Sequence, residues 1–400
     1  MPDRPTNPAI RLTAGDFYAN GPEPHYAWMR ANAPLYWDEG GHVWGVSTYD
    51  LVREVSKDAA TFGNGGGIRP NLPATPMMID LDDPAHWGRR KLVNRGFTPR
   101  RVRDQEPTIR EVCDGIIDLV ADRGSCDFVG DVAAPLPMIM IGDALGVAPE
   151  DRATLLRWSD DLVKGQDSDA TEEQLETMVQ AFADYSEYAD RVIADRRATP
   201  RDDLMSILVH AEVDGERLTH DDLIYDSLLI LVGGDETTRH VLSEGVYQLL
   251  LTGQWDDLRD DRSLLPTAVE EMLRWVSPIK NMCRTATRDV ELAGEQVREG
   301  DELLLLYASA NRDESVFPNA ETFDIRRTPN DHVAFGFGAH FCLGNSLARL
   351  EIKVMLEQLL DRLPDLALAS DDPPPMRPAN FISGPESLPV TFTPTTPTRA

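Results

Sequence analysis

The feature that most constrains the fold of this chain is a glycine- and phenylalanine-rich string that runs directly into a helix. It reads Phe335-Gly-Phe-Gly-Ala-His-Phe-Cys-Leu-Gly344, and NSLARLEIKVMLEQLL, with apolar residues at helical spacing, follows at once. A loop therefore delivers Cys342 to a helix N-terminus, where unpaired N–H groups and the helix dipole favour a thiolate. The glycines free the backbone to bend, so a flat ligand can approach the sulfur. The alternative is that Cys342 is a buried, inert cysteine. That alternative would not explain why the whole string from 335 to 344 is present.

The other cysteines and the overall charge exclude several classes of protein. Cys113, Cys126 and Cys283 are too few and too scattered for a disulfide scaffold or a Cys-x-x-Cys zinc site. The chain has 39 Lys and Arg against 68 Asp and Glu, a net charge of −29, which argues against nucleic acid and anionic membranes. No run approaches the length of a membrane span, and the first residues lack the apolar core of a signal peptide. We therefore expect a cytoplasmic protein and a monomer.

The chain is predicted to be mainly α-helical with a small β region. Helical spacing is found around 101–122, 149–165, 171–197, 219–252, 263–276 and 343–363. Strand-like pieces are His42–Thr48, Cys283–Leu292, Glu302–Tyr307 and Leu388–Phe392. Because no convincing linker divides the middle, we predict one domain over 1–400, with β-rich portions around 35–50, 283–307 and 380–393 and an irregular C-terminal tail.

The segment 219–252 allows two interpretations. Thr219 with Asp222 resembles a capping box, and Gly253 supplies a stop signal. Residues 228–232 are apolar without interruption, and the sequence GGDETT follows them. Two glycines inside a helix cost about 1 kcal/mol each, and charges beside a buried run need partners or a wet pocket. The segment is either one long helix beside such a pocket or two helices joined by a Gly-Gly turn that Asp235 caps.

The string around Cys342 resembles the haem-binding signature of the cytochrome P-450 superfamily, Phe-x-x-Gly-x-(His/Arg)-x-Cys-x-Gly, and matches every fixed position. Other landmarks follow in the order and spacing of the family, so the resemblance covers essentially the whole chain. It implies the P-450 fold, mainly α with a smaller β region, and haem b as the cofactor. By this resemblance Cys342 is the proximal thiolate ligand of the haem iron, and Phe335, Gly336 and Gly344 surround the cofactor.

The same resemblance implies cationic partners for the haem propionates. His86-x-x-x-Arg90 places two such side chains on one helix face, as in the propionate-binding helix of the family. Arg284, His332 and His340 occupy three further matching positions. Each one alone could equally be a surface cation or a core histidine, and only the set points to ligands.

The Gly-Gly segment resembles the (Ala/Gly)-Gly-x-(Asp/Glu)-Thr motif of the long helix over the distal haem face. This likeness favours the single helix over the turn. It implies that Gly234 leaves room for dioxygen and that Glu236 and Thr237 are the acid–alcohol pair that supplies protons. Asp235 adds a second acid, which could share the relay.

Glu271-Met-Leu-Arg274 matches the Glu-x-x-Arg helix of the family, in which the pair joins a second arginine in a structural triad. An i,i+3 spacing puts both side chains on one helix face. The second arginine would be Arg327, with Arg326 as the alternative. Alone, such a pair is a weak signal, since most are solvated.

Charge is locally inverted between residues 89 and 103. Seven cations occur there without an acid between them, namely Arg89, Arg90, Lys91, Arg95, Arg100, Arg101 and Arg103. Such a patch steers an acidic partner. The resemblance places it beside the proximal haem face, where a ferredoxin would dock. No electron-transfer domain is fused to the chain, so we expect a separate ferredoxin and ferredoxin reductase.

Substrate contacts are expected from a Gly/Pro-rich loop at 63–79 and from three other segments. The candidates are almost all apolar: Leu72, Met77, Met78, Ile79, Val232, Gly233, Ile279 and Phe381. Ordinary core packing is nearly as good an explanation for each of them, but together they suit a large lipid.

The chain also resembles actinobacterial members of the superfamily that oxidise the terminal side-chain methyl of cholesterol or cholest-4-en-3-one to alcohol, aldehyde and acid. The likeness lies in GGDETTR, MMIDLDDPAHWGRRKLVNRGFTPRRV and VAFGFGAHFCLGNSLARLE. A hydroxylase of another lipid or polyketide is the nearest alternative. A non-catalytic haem-binding or redox-sensing protein is a third, although such a protein has no use for a proton relay.

Overall fold

The structure is a computed structural model that describes residues 4–167, 169–212 and 215–398. Over these residues the chain forms fifteen α-helices. They are α1 Gly15–Ala19, α2 Glu23–Asn32, α3 Tyr49–Lys57, α4 Ala85–Val93, α5 Pro99–Asp104, α6 Glu106–Asp118, α7 Pro135–Leu145, α8 Arg152–Lys164, α9 Glu172–Ala198, α10 Leu204–His210, α11 His220–Leu251, α12 Gln254–Asp260, α13 Leu265–Val276, α14 Tyr307–Ala310 and α15 Asn345–Arg362.

The strands are short and form three small sheets. They are β1 Leu35–Asp38, β2 Val43–Val46, β3 Phe62–Gly63, β4 Ser125–Asp127, β5 Met282–Ala286, β6 Val290–Leu292, β7 Glu295–Val297, β8 Glu302–Leu305, β9 Ala367–Leu368 and β10 Pro389–Thr391. The largest sheet has the order β1-β2-β8-β5-β3, in which only β2 and β8 are parallel. The other sheets are β4-β10-β9 and the β6-β7 hairpin. The prediction of a mainly α fold with a small β region is confirmed.

Helix α11 is the central element and continues through both glycines without a break. Thr219 and Asp222 form the predicted capping box, with Asp222 N donating to Thr219 Oγ1 at 3.1 Å and Thr219 N to Asp222 Oδ2 at 2.9 Å. The helix then runs for 32 residues. The alternative of two helices joined by a turn is therefore wrong. Its apolar first half is buried against α7 and α8, and this packing offsets the helix propensity lost at the glycines.

Two predicted elements are divided in the structure. The strand expected at Cys283–Leu292 ends at Ala286, and the chain restarts in the β6-β7 hairpin. The helix expected around 101–122 is interrupted between α5 and α6, where Pro107 occupies the first turn of α6.

One segment, Phe128–Leu145, has the length and hydropathy of a membrane span, so the expectation that no run approaches this limit is wrong. By the same measure 67% of the segment is buried inside the protein. Its second half, α7, packs on α11 and α6. A buried core helix can have the same length and hydropathy as a membrane span. These two properties are therefore weak evidence that Phe128–Leu145 crosses a membrane.

Two hydrophobic clusters meet along α11. The first half of the helix, up to Val232, packs with α7 to α10, and the second half, from Val241, packs with α6, α13 and α15. The stretch between them, 233–240, carries the Gly-Gly motif and its acids. The polar part of α11 thus lies at the junction of the two clusters, which is where the cavity described next is found.

Candidate active site

An internal cavity of about 570 Å³ extends from the Cys342 loop to the middle of α11. Its lining is mostly apolar and includes Cys342 and Leu343 on the loop together with Gly233, Gly234 and Thr237 on α11. The cavity is large enough for a drug-sized ligand. The sequence thus brings its two most distinctive motifs, more than a hundred residues apart, to a single enclosed space.

The Cys342 loop owes its shape to left-handed glycines. Gly336 and Gly338 have φ values of +70° and +80°, which a residue with a side chain rarely adopts. A Cβ at Gly338 would also lie 2.3 Å from the Ser56 carbonyl oxygen. Cys342 N donates to Phe335 O at 2.9 Å, which closes the loop, and α15 begins three residues after the cysteine.

The polypeptide alone does not favour a Cys342 thiolate, contrary to the expectation from its place before a helix. Burial raises the pKa of the Cys342 thiol, and this effect outweighs the N–H groups of Gly344 and Asn345 and the charges of Arg90 and Arg349, which lower it. A metal supplies what is missing, because coordination deprotonates a thiol outright.

Four of the five predicted propionate partners line the cavity: His86, Arg90, Arg284 and His340. The His86 and His340 rings stack with centroids 3.9 Å apart, and the His86 Nε2 atom is buried without a hydrogen-bond partner among the described residues. Burial, with the charges of His86, Arg284 and Arg90, lowers the pKa of His340 to about 2. These groups form a cationic and imidazole-rich edge within an otherwise apolar cavity.

His332, the fifth predicted propionate partner, is not brought to the cavity. Its Nε2 lies 3.1 Å from Glu270 Oε2, and its Nδ1 accepts from Ala334 N at 3.2 Å. Arg349 and His332 both pair with Glu270. Burial alone would raise the pKa of the Glu270 carboxyl, but these two partners lower it to about 2. Both ring nitrogens of His332 are therefore engaged elsewhere.

On α11, both Gly233 and Gly234, the position predicted to leave room for dioxygen, line the cavity, and the larger free space lies at Gly233. A Cβ at Gly233 would meet no atom within 4 Å, whereas one at Gly234 would lie 3.2 Å from the Ile141 side chain. Gly234 thus serves the close approach of α7, and Gly233 leaves the cavity open. Thr237 also lines the cavity, and its Oγ1 donates to Gly233 O at 2.8 Å.

The acids Asp235 and Glu236 lie beside the cavity but do not line it. The Glu236 carboxylate, with no exposed surface, pairs with Arg239, and its Oε2 lies 2.7 Å from Arg377 Nη1. Burial alone would raise the pKa of Glu236, but Arg239 and Arg377 lower it below the usual value. Asp160, whose side chain is 27% exposed, touches the same two arginines and connects them with solvent.

Asp235 has the opposite electrostatic character. It is fully buried, and neither carboxyl oxygen has a hydrogen-bond partner among the described residues. Burial and the adjacent Glu236 charge raise the pKa of Asp235 well above its usual value. The pKa values of these neighbouring acids are thus shifted in opposite directions, upward for Asp235 and downward for Glu236.

All eight predicted substrate contacts line the cavity, namely Leu72, Met77, Met78, Ile79, Val232, Gly233, Ile279 and Phe381. They are joined by apolar residues from α7, α9 and α11 that the sequence did not single out, including Ile141, Met178, Phe182, Leu228 and Leu229. The cavity wall is therefore built from several separate segments.

Glu271 and Arg274 form the expected pair, and the structure decides the identity of the second arginine. Arg274 donates from Nε and Nη2 to both carboxylate oxygens at 2.8 Å, and neither side chain is exposed. Arg327 Nε reaches Glu271 Oε2 at 3.1 Å, while Arg326 pairs with Asp257 at the surface. The arginine at this site is Arg327.

The cationic run 89–103 does not form one surface. Arg90 lines the cavity, and Arg89 turns inward to Asp222 on α11. Arg95, Arg100 and Arg103 are exposed. Two exposed aromatic side chains lie on neighbouring segments: Trp87, 55% exposed, one turn before Lys91, and Phe341, 40% exposed, whose carbonyl oxygen accepts from Arg90.

Sequence reasoning missed three charged residues in the cavity lining, namely Arg69, Asp80 and Glu351. Glu351 on α15 is only 3% exposed, and its position beside the apolar residues Leu347, Leu350 and Ile352 was an available signal. Arg69 is 4% exposed and donates to the side-chain oxygens of Asn281 and Asn380 at 2.9 and 2.7 Å. Nothing local in the sequence marks Arg69, because its partners are far away along the chain.

The residues present fit the haem that the signature implies. Within the described ranges no cluster of three or more His, Cys, Asp or Glu side chains could hold a metal ion, so Cys342 stands as a lone protein ligand. A lone thiolate suits a metal whose other ligands come from a macrocycle. The orphaned His86 Nε2 and the Arg90 and Arg284 side chains at the cavity edge match carboxylate groups on that macrocycle.

Comparisons with known proteins agree with this geometry. A family model described as cytochrome P450 matches residues 169–392. Two relatives named steroid C26-monooxygenase are similar to this chain: one from Mycolicibacterium smegmatis, 54% identical and covering 99% of both chains, and one from Mycobacterium tuberculosis, 56% identical and covering 98% of both. The solved structure of CYP109E1 from Bacillus megaterium in complex with testosterone has a TM-score of 0.84, with 34% identity over 93% of this chain and 99% of that one.

Proposed function

The chain belongs to the cytochrome P450 family, and on that premise we propose that it is a haem-thiolate monooxygenase that oxidises the terminal methyl of a sterol side chain. Cholesterol or cholest-4-en-3-one is the proposed substrate, and successive turnovers would give alcohol, aldehyde and carboxylic acid. The single observation that carries the proposal is the enclosed apolar cavity into which both the Cys342 loop and the Gly-Gly motif open.

Cys342 would hold the haem iron, and His86, Arg90, Arg284 and His340 would bind its propionates. When bound, a haem with thiolate ligation supplies the activation of dioxygen and the oxidation of an unactivated C–H bond. Phe335, Gly336 and Gly344 would surround the cofactor, since they line the same part of the cavity. Glu271, Arg274 and Arg327 would support this region from outside the cavity.

Thr237, which lines the cavity, would hold a proton at Oγ1, the atom that donates to Gly233 O. Glu236, connected to solvent through Arg239, Arg377 and Asp160, would restore that proton after each turnover. A hydroxyl beside a rechargeable carboxylate is what repeated proton delivery requires. Because Glu236 is ion-paired and outside the cavity lining, its carboxylate has to turn away from an arginine to reach Thr237. Asp235, whose pKa is raised by burial, is a further acid on the same turn that could share the relay.

The apolar wall would bind and orient the sterol. Met77, Met78 and Ile79 come from one loop, Val232 from α11, and Ile279 and Phe381 from two segments joined by the bridge between Ile279 and Ile382. Burying a sterol against such side chains contributes roughly 25 cal/mol per Å² of apolar surface. The wall also excludes water from the site where C–H oxidation takes place.

Electrons would come from a separate ferredoxin, itself reduced by a ferredoxin reductase. The proposed docking surface contains the exposed cations Arg95, Arg100 and Arg103 and the partly exposed Arg101 and Lys91, with Trp87 and Phe341 as apolar contacts. Arg89 and Arg90 lie behind this surface. An acidic partner would be steered to a cationic patch on a chain that is otherwise strongly acidic.

Carbon monoxide difference spectroscopy tests the cofactor assignment. The reduced, carbon monoxide-treated protein should show the red-shifted Soret band of thiolate ligation. Cys342→Ala should abolish that band and lower the haem content. Cys126→Ala changes a half-buried cysteine away from the cavity and should alter neither. A normal band in the Cys342 variant would refute the assignment.

Ligand titration and turnover test the substrate. Cholest-4-en-3-one should shift the haem absorption band at micromolar concentration, and product should form with ferredoxin, reductase, NADH and dioxygen. Fatty acids and macrolides are the controls. A shift and product with one of these alone would favour the alternative of another lipid or polyketide hydroxylase, and NADH use without any product would contradict a monooxygenase of these substrates.

A further inference from the structure

A buried acid on α11 holds one end of the substrate loop. Asp226 has no exposed surface, and its Oδ1 accepts a hydrogen bond from the backbone N–H of Met78 at 2.8 Å. The carboxylate is thus bonded to the backbone of a cavity-lining residue, 148 positions earlier in the chain. Its other oxygen, Oδ2, is buried with no hydrogen-bond partner in the part of the chain that the structure describes.

Arg89 on α4 completes this arrangement by touching both the loop and α11. Its Nη1 donates to Pro76 O at 2.5 Å and lies 3.5 Å from Asp226 Oδ1, while its Nη2 pairs with Asp222. The Arg89 side chain is only 14% exposed and that of Asp222 19%. One guanidinium therefore joins α4, the loop and the first turns of α11. Its bond to Pro76 is exposed, and its contacts with Asp222 and Asp226 are partly buried, where a charged hydrogen bond is stronger than in water.

The clamp, defined as Arg89, Asp222 and Asp226, lies directly behind residues that line the cavity. Met77, Met78 and Ile79 line it from the clamped loop. Tyr225 and Leu228, on α11 beside Asp226, line it as well, as do His86 and Arg90 on α4 beside Arg89. A shift of the clamp would displace the substrate wall relative to both helices.

The loop has its own internal bonds, which shape it without fixing it to the helices. Asp80 accepts from Ile68 N at 3.0 Å and from Thr75 N at 2.7 Å, so it closes the loop on itself. The loop is anchored elsewhere at Arg69, which donates to Asn281 and Asn380, so the part that depends on the neighbouring helices is its 76–79 end. The bonds of Asp226 and Arg89 are what connect Pro76 and Met78 to neighbouring helices.

We propose that Asp226 and Arg89 are positioning residues that hold the Met77–Ile79 wall against α11 and thereby set the affinity for the sterol and its orientation. This inference rests on the proposed function for the identity of the ligand. The clamp itself touches no substrate. It acts through the wall that it fixes. Changing the clamp should therefore alter sterol binding and the coupling of electron use to product formation.

The test uses the haem-loaded enzyme and the variants Asp226→Asn and Arg89→Met. Asparagine keeps the acceptor for Met78 N but removes the charge that faces Arg89, and methionine keeps most of the packing while removing every hydrogen bond. Asp221→Asn is the matched control, since Asp221 is an exposed acid on the first turn of α11, beside Asp222. Arg89→Lys keeps the positive charge, so it should lose less sterol affinity and less protection from hydrogen exchange than Arg89→Met.

Hydrogen exchange and ligand titration are the two measurements. In the ligand-free enzyme, residues 76–80 should exchange at least several-fold faster in Asp226→Asn and Arg89→Met, with little change in α13 and α15. The dissociation constant for cholest-4-en-3-one should rise about tenfold, the factor that the loss of one charged hydrogen bond produces. KM should follow, kcat should change less, and the Asp221 variant should match the wild type.

Two results would overturn the inference. Unchanged exchange over 76–80 would show that the clamp does not hold the loop. Faster exchange throughout the chain, with an unchanged dissociation constant, would assign these residues to general stability alone. If the wild type binds no sterol, the proposed function fails, but the exchange measurement still decides whether the clamp exists.

Discussion

Arg377 and Glu236 meet across 141 residues of sequence, with Nη1 of the arginine 2.7 Å from Oε2 of the acid. Glu236 has no exposed surface and depends on this arginine and on Arg239 to remain ionised. The acid that the relay would use is thus held in its charged form by a residue from the C-terminal part of the chain. Removing Arg377 should therefore change the pH at which Glu236 gains a proton.

Arg377→Met should move the acid limb of coupled product formation to higher pH. One of two cations that lower the pKa of Glu236 is lost, so the carboxylate would take up a proton at a higher pH. The measurement is the pH dependence of product formed per NADH. Arg326→Met, which breaks a surface pair with Asp257, is the control. Identical profiles for the wild type and the Arg377 variant would show that this pair does not govern turnover.

Thr237→Ala should uncouple electron use from hydroxylation. Without the hydroxyl that faces the cavity, protons are not placed where oxygen is activated, and reducing equivalents should leave as hydrogen peroxide. We expect product per NADH to fall by at least tenfold, within the range typical of a lost acid–base group. Thr252→Ala, at the end of the same helix, should stay coupled. Full coupling in the Thr237 variant would remove this residue from the relay.

Local patterns predicted much of this site, and long-range partners account for the rest. The Cys342 loop and the unbroken α11 follow from adjacent residues, whose glycines, caps and apolar runs act over a few positions. The orientation of Glu236 could not be predicted in this way, because Arg377 decides it. The position of His332 outside the cavity could not be predicted for the same reason, because its Nε2 pairs with Glu270, 62 residues away in the sequence.

The cationic run between 89 and 103 shows the same limit. Its charge was evident in the sequence, but Asp222 on α11 draws Arg89 inward, so the run cannot be read as one surface. The structure also shows more free space beside Gly233 than beside Gly234, because the Ile141 side chain of α7 packs against Gly234. Sequence spacing identifies a motif, and tertiary packing decides which of its members face the cavity.

Glu271→Gln should destabilise the protein strongly. Arg274 and Arg327 both lose their charged acceptor in a site where Glu271 and Arg274 have no exposed surface. Breaking a buried pair in this way costs about 3–5 kcal/mol. Urea unfolding of the holoprotein measures the change. Asp257→Asn, which removes a fully exposed pair with Arg326, should leave the unfolding free energy nearly unchanged. Equal midpoints for the two variants would contradict a structural role for Glu271.

Reversing charge on the proposed docking surface should slow electron transfer without affecting the cavity. Arg100 and Arg103 are exposed, so the double change to glutamate would repel an acidic ferredoxin. The ferredoxin concentration for half-maximal turnover should rise about tenfold at low salt, and the difference should shrink as salt screens it. The dissociation constant for the sterol should not change. Arg191→Glu, exposed on α9, is the control. A ferredoxin dependence equal to that of the wild type would place docking elsewhere.

Glu351→Gln should change how stability depends on pH, because the wild-type acid is buried in its neutral form. Burial raises the pKa of Glu351 to about 8 from an ordinary value of 4.5. Between these values the folded protein holds a proton that the unfolded chain has lost, so this group makes the wild type less stable as pH rises. Glutamine removes that dependence. The unfolding free energy of the variant minus that of the wild type should therefore increase by roughly 1.4 kcal/mol per pH unit from about pH 5 to 8.

Urea unfolding at several pH values measures this difference, with Glu357→Gln on the more accessible side of α15 as the control. Infrared spectroscopy gives an independent reading, since a protonated carboxyl band present near pH 7 should disappear in the Glu351 variant. A difference that stays constant with pH would mean that Glu351 is ionised in the folded protein. If it is neutral, the cavity contains an acid that holds its proton at physiological pH, in contrast to Glu236, whose arginine partners keep it ionised outside the cavity lining.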